Sequence, residues 1–337
     1  MLAAVLVMAA AVAVVVALMS STRTVRVVHV LVQAQPPSPR PSTHGSQAPP
    51  SLPPASAGTN GSFTRPSAQE PSPLLRAGAR KSFARLQSSL PGPIDIALAP
   101  LGRGNSVTLG ANAPAHGWSA TKVPVLVALL HALSRSGLSR AQLALAQQAI
   151  TASDNGSILS LFGDLERLQG GLDGASSYIQ QLLRASGDHD TVVATGPPPP
   201  GAVTTFGQTE WTPENATKFF RALGDDCLLS SSQSGYVLGL MERIVSSESW
   251  GLGSGGFSVS VAFKGGWGPE ASGGYLVRQS GIIAPGTDRG MAVSIVAHPP
   301  AGGDSFSVGT QMLTTTARWL RSQLLFRSRP PTSCGGG

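Results

Sequence analysis

Ser119-Ala120-Thr121-Lys122 follows Gly117-Trp118 and runs straight into Val123-Pro124-Val125-Leu126-Val127-Ala128-Leu129-Leu130. An apolar run with no polar face predicts a helix buried on all sides, from about Ser119 to Ser134. On it Ser119 and Lys122, three positions apart, share one face. A lysine amine shielded from water beside a serine hydroxyl can lose its proton and then act as the base that activates the nucleophile. The same pair also suits a helix N-cap and a lysine reaching for solvent, so the tetrad alone does not decide the chemistry.

Two later segments bear on it. Thr151-Ala152-Ser153-Asp154-Asn155-Gly156 forms a short polar turn between two helical patterns, and on its own it reads as a turn or cap. Val259-Ser260-Val261-Ala262-Phe263 alternates like a strand and ends in Lys264-Gly265-Gly266-Trp267-Gly268, where the glycines allow close approach to the backbone. The order S-x-x-K, S-D-N, K-[T/S]-G resembles the motif set of class A β-lactamases and penicillin-binding proteins.

The resemblance spans roughly residues 77 to 327. Gly187-Asp188-His189-Asp190-Thr191 is similar to the start of the class A omega loop, and Trp211-Thr212-Pro213-Glu214-Asn215 to the T-T-P that opens the next helix. Leu238 to Gly251 (L-G-L-M-E-R-I-V-S-S-E-S-W-G), with K-G-G-W after it, is similar to a branch of secreted or anchored actinobacterial serine hydrolases. The resemblance implies Ser119 as nucleophile, Lys122 as its base and Ser153 as the relay to the leaving nitrogen. Asn155 would orient Lys122 and the substrate, and Lys264 would hold Ser153 and attract a substrate carboxylate. The backbone N–H groups of Ser119 and Trp267 would form the oxyanion hole. Gly265 and Gly266 would line the substrate, with Arg278 as a second carboxylate binder.

Three departures from the family pattern matter. Thr191 is followed by Val192-Val193-Ala194-Thr195-Gly196 and four prolines, so the omega-loop glutamate that activates the deacylating water is missing; Asp190 and Glu210 only flank the loop. Gly265 stands where the family has a hydroxyl, which weakens binding of penicillin-like ligands. The interval from Ser119 to Ser153 is short, which implies a trimmed helical subdomain. The expected function is a serine acyl hydrolase acting on a β-lactam or a peptidoglycan-like amide, with slow deacylation. A non-catalytic wall-binding scaffold and an esterase with an apolar cleft are the alternatives.

Composition divides the chain. Residues 1–32 hold an uncharged apolar run that suits a membrane anchor or signal segment, and 33–74 are a Pro/Ser-rich tether unable to bury a core. Residues 75–327 suffice for one hydrolase domain, and 328–337 read as a loose tail. Residues 77–327 hold eighteen Lys and Arg against sixteen acids, so most of the net charge of +7 lies outside them and no nucleic-acid face is expected. Arg23 and Arg26 follow the apolar run with no basic residue before it, which favours an inward domain. The tether and the resemblance favour export, with Val32-Gln33-Ala34 as a cleavage site if the segment is removed. Six scattered His and two Cys show no metal spacing, so no cofactor is expected, and Cys227 and Cys334 make no disulfide framework. A monomer is expected.

The elements predicted are a helix over 75–90, a strand over 94–98 with its hairpin partner over 106–109, and helices over 139–150, 156–168, 174–185, 213–223 and 234–245. Strands over 258–263, 275–283 and 290–298 precede a last helix over 306–326. Strands at both chain ends with helices between imply an α+β fold: an antiparallel five-stranded sheet flanked by helices, beside an all-helical subdomain.

Overall fold

The computed structural model describes residues 73 to 270, 273 to 331 and Cys334. The segment expected over 1–32 and nearly all of the tether lie outside the described residues. Among those described, no helix is long and apolar enough to cross a membrane. The elements are α1 (Ala79–Ser89), β1 (Ile94–Pro100), β2 (Val107–Leu109), α2 (Lys122–Ala132), α3 (Arg140–Thr151), α4 (Asn155–Gln169) and α5 (Leu172–Ala185). They continue with α6 (Pro213–Gly224), α7 (Ser231–Met241), β3 (Val261–Pro269), β4 (Tyr275–Ile283), β5 (Met291–Ala297) and α8 (Ser305–Gln323).

The sheet runs β2-β1-β5-β4-β3 with every pair antiparallel. The early hairpin is completed by strands from the other end of the chain, β1 pairing with β5 from Ile94 opposite Ala297 to Pro100 opposite Met291. Both strands are buried throughout because each face is covered. Met291, Val293, Ile295 and Ala297 join Phe83 of α1 and Met312, Leu313, Ala317 and Leu320 of α8 in one core. Ala292 of the same strand faces the other way, with Ala262 and Ile282, into the helical layer of α2 to α7. The period of two thus separates two cores.

At the centre of the helical layer, Lys122 to Leu130 are all buried, the result expected of a run without a polar face. Pro124 falls in the first turn of α2, where a missing N–H costs no intrahelical bond. The fold is the expected α+β arrangement, with local differences. Ser119 lies in a 3-10 turn, Trp118–Thr121, ahead of α2 and makes no N-cap bond. α7 starts at Ser231 under a capping box from Ser230 and Gln233, and ends at Met241.

β3 differs most. It starts at Val261 and continues through Lys264-Gly265-Gly266-Trp267 to Pro269, so the glycines lie inside the strand, opposite Gln279 and Arg278 of β4. Glycine is a poor strand former, but here neighbours crowd the glycine backbones and exclude side chains.

The tail also differs from expectation. Pro330 O accepts from Arg103 N at 2.9 Å, Arg329 N donates to Asp288 O at 3.0 Å, and Cys334 is disulfide-bonded to Cys227. Two cysteines so far apart in sequence gave no signal of their pairing.

Candidate active site

A 3-10 turn stacks residues three apart, so the turn before α2 aligns Ser119 with Lys122. Ser119 is half-buried and Lys122 is fully buried. Trp118, just before Ser119, holds a left-handed backbone (φ 46°), a strain that persists only where the surroundings impose it. Its indole lies against Gly268, where an added Cβ would come within 2.3 Å of the ring, and its Nε1 donates to Glu270 Oε1 at 3.2 Å. Glu270 Oε2 is also 3.1 Å from His116 Nδ1. Trp118, Glu270 and His116 therefore brace the turn against β3.

Ser153-Asp154-Asn155 is indeed a helix cap. Asp154 accepts from Ser157 N at 2.7 Å and starts α4. The cap also aims its neighbours at Lys122, with Ser153 in a left-handed conformation (φ 56°). Lys122 Nζ donates to Asn155 Oδ1 at 2.7 Å and to the Ser153 carbonyl, and lies 3.2 Å from Ser153 Oγ. From the other side, Lys264 Nζ reaches the same hydroxyl at 2.8 Å. Ser153 Oγ thus lies between two amines, the arrangement a proton relay requires.

Burial lowers the Lys122 pKa to about 7, with Lys264 pushing the same way against the opposing charges of Glu248 and Asp154. Burial also lowers that of Lys264, opposed by Glu248. Neutral Lys122 is the form that can take a proton, so acylation by a small activated ester is expected to rise with pH through a midpoint near 7 and then level off. Rapid-mixing rates across that range check this, and a rate independent of pH would contradict it.

Gly266 meets the turn closely. A Cβ there would lie 2.9 Å from both Ser119 N and Ala120 N, and 2.7 Å from Gly117 O. The Ser119 N–H and the Gly266–Trp267 backbone are therefore neighbours. Gly265 faces Trp250 instead, whose ring would be 2.9 Å from an added Cβ, so a hydroxyl does not fit at this position unless Trp250 moves. Arg278, expected to meet a substrate carboxylate, is fully buried. Its Nη1 donates to Ala115 O, His116 O and Trp211 O at 3.0–3.2 Å, and its guanidinium lies 5.7 Å from the Trp211 ring centroid. It holds the segment leading to Ser119. A cation with no exposed surface cannot receive a ligand carboxylate.

Glu248 was not singled out in the sequence. It ends the 3-10 turn Ser246–Glu248 and lies 3.1 Å from Lys264 Nζ, and Trp250 follows two residues later. Both belong to the stretch from Leu238 to Gly251 already marked by its resemblance. Asp190 and Glu210 line a separate cleft of about 310 Å³ with Pro114, Gln208 and Asn215, and no predicted site residue shares it. Among the described residues no cluster of His, Cys, Asp and Glu could hold a metal.

No protein-family model and no curated protein sequence matches this chain. Solved structures do. TLA-1 extended-spectrum β-lactamase is 13% identical with a TM-score of 0.56, covering 72% of this chain and 98% of that one. PBP-A is 19% identical at 0.56, covering 74% and 97%, and a mutant of PBP-A has been solved as an acyl-enzyme complex with penicillin G. A class A β-lactamase from Bacteroides cellulosilyticus DSM 14838 is 14% identical at 0.54, covering 72% and 97%. The chain therefore has the β-lactamase-like fold that class A β-lactamases share with PBP-A.

Proposed function

We propose that the chain is a serine acyl hydrolase that forms an acyl-enzyme at Ser119. The observation that carries this is the convergence of Lys122 and Lys264 on the Ser153 hydroxyl, at 3.2 and 2.8 Å, with Asn155 Oδ1 accepting from Lys122 Nζ at 2.7 Å: three separate stretches of the sequence meet beside the turn that holds Ser119. Ser119 Oγ attacks the substrate carbonyl carbon while its proton passes to Lys122, and the N–H groups of Ser119 and Trp267 receive the developing oxyanion. Collapse of the tetrahedral intermediate breaks the bond to the leaving group. That group takes a proton delivered through Ser153. The acyl donor is a β-lactam, a peptidoglycan-like amide or an ester. A non-catalytic scaffold is disfavoured because two buried lysines cost stability that a binding module has no need to lose. The disulfide supports an oxidising, extracytoplasmic location, with the N-terminal segment as anchor or signal.

A serine-directed fluorophosphonate should modify Ser119, as read by peptide mapping, and absence of that adduct would refute the proposal. Among the described residues Asp190 and Glu210 line a different cleft and Glu248 is paired with Lys264, so the acyl-enzyme formed with a fluorescent penicillin or an activated ester should outlast removal of free reagent. Rapid multiple turnover would show that another group activates the water.

A further inference from the structure

The Lys264 ammonium has three N–H donors, and all three are used within the protein. They go to Ser153 Oγ at 2.8 Å, Glu248 Oε2 at 3.1 Å and Gly265 O at 3.2 Å. The lysine is fully buried, so the cation expected to attract a substrate carboxylate has no direction left in which to bind one. Glu248 also places a fixed negative charge at that spot, and its side chain is 14% exposed. A ligand carboxylate brought there would meet a like charge. Gly265 has no hydroxyl and faces the Trp250 ring, and Arg278, expected as a second carboxylate binder, is buried with Nη1 on backbone carbonyls. Beside Gly265 stands an aromatic cluster packed on the core under α8. Trp250 and Trp267 meet edge to face at 5.9 Å, and Phe306 completes the cluster at 5.1 Å from Trp267 and 6.0 Å from Trp250. All three rings are half-buried, and Trp267 is the residue whose N–H faces the scissile carbonyl in the proposed reaction.

We infer that Glu248 is a specificity-determining residue, and that the site takes acyl donors whose group beside the scissile bond is neutral and apolar, such as esters or amides without a free carboxylate at that position. This rests on Ser119 being the nucleophile. A substrate of this class leaves the Lys264–Glu248 pair intact, so Lys264 serves only to hold Ser153.

The test uses two thioesters of the same thiol, identical except that one carries a free carboxylate next to the scissile bond and the other its methyl ester. The full chain is first treated with fluorophosphonate. Adduct at Ser119 establishes the nucleophile independently of substrate recognition, and failure to label would overturn the proposed function and this inference together. With labelling established, the wild type is expected to be acylated about tenfold or more faster by the methyl ester. Glu248→Gln is expected to narrow or reverse that ratio. A fall in stability alone would lower both rates together and leave the ratio unchanged. The wild-type ratio needs no variant, so it decides even if Glu248→Gln does not fold. Equal rates, or faster acylation by the carboxylate thioester, would overturn the inference while leaving Ser119 as the nucleophile.

Discussion

Lys122→Ala is expected to slow acylation of Ser119 by about 10²- to 10⁴-fold, the range for removing a positioned general base. Ser119→Ala should abolish the adduct. The size of the lysine effect follows from its surroundings. Lys122 is fully buried, its pKa lies near 7, and Asn155 and the Ser153 carbonyl fix its amine. Time-resolved mass spectrometry of the intact protein after mixing with an activated ester measures both variants directly. A Lys122→Ala protein acylated at the wild-type rate would remove lysine from the mechanism and move attention to Ser153 or the more distant His116. Circular dichroism of the variants separates loss of chemistry from loss of fold.

Gly266→Ala is expected to be nearly as damaging, although it adds only one methyl group. That methyl would lie under 3 Å from Gly117 O, Ser119 N and Ala120 N. All are backbone atoms, so the 3-10 turn and β3 must separate, taking the Ser119 N–H away from the Trp267 backbone. Loss of an oxyanion donor costs about 10²- to 10³-fold. Gly265→Ala is the control, because its methyl meets the Trp250 side chain, which can shift. It should lose less than about tenfold. Equal acylation by Gly266→Ala and the wild type would show that these two backbones do not act together.

Much of this arrangement was legible in the sequence. The apolar run after Lys122 announced a buried helix, the strand expected over 275–283 matches β4, and the three motifs named the residues that meet around Ser153. The limits of legibility are physical. Strand propensity undervalued Gly265 and Gly266, since their role is to let the turn and Trp250 approach, a property of neighbours and not of glycine itself. Glu248 looked like any surface acid because nothing local shows that Lys264, in a strand still to come, will be buried beside it. Arg278 had the right charge and strand for a carboxylate binder, and only the tertiary fold shows that it is buried with Nη1 bonded to carbonyls of the Ala115–His116 segment and Trp211.

The pairing of β1 with β5 governs when this chain acquires chemistry. A chain emerging from its N-terminus presents Ser119 early, yet β1 has no inner partner and Ser153 no second amine until β3 to β5 have followed. Contacts that close so late in the sequence also form slowly. On the proposed mechanism the nascent chain therefore passes through synthesis with Ser119 unarmed, and a fragment cut short before the final strands lacks the means to use it. Reactivity at Ser119 is in this sense a certificate that the whole domain has been completed.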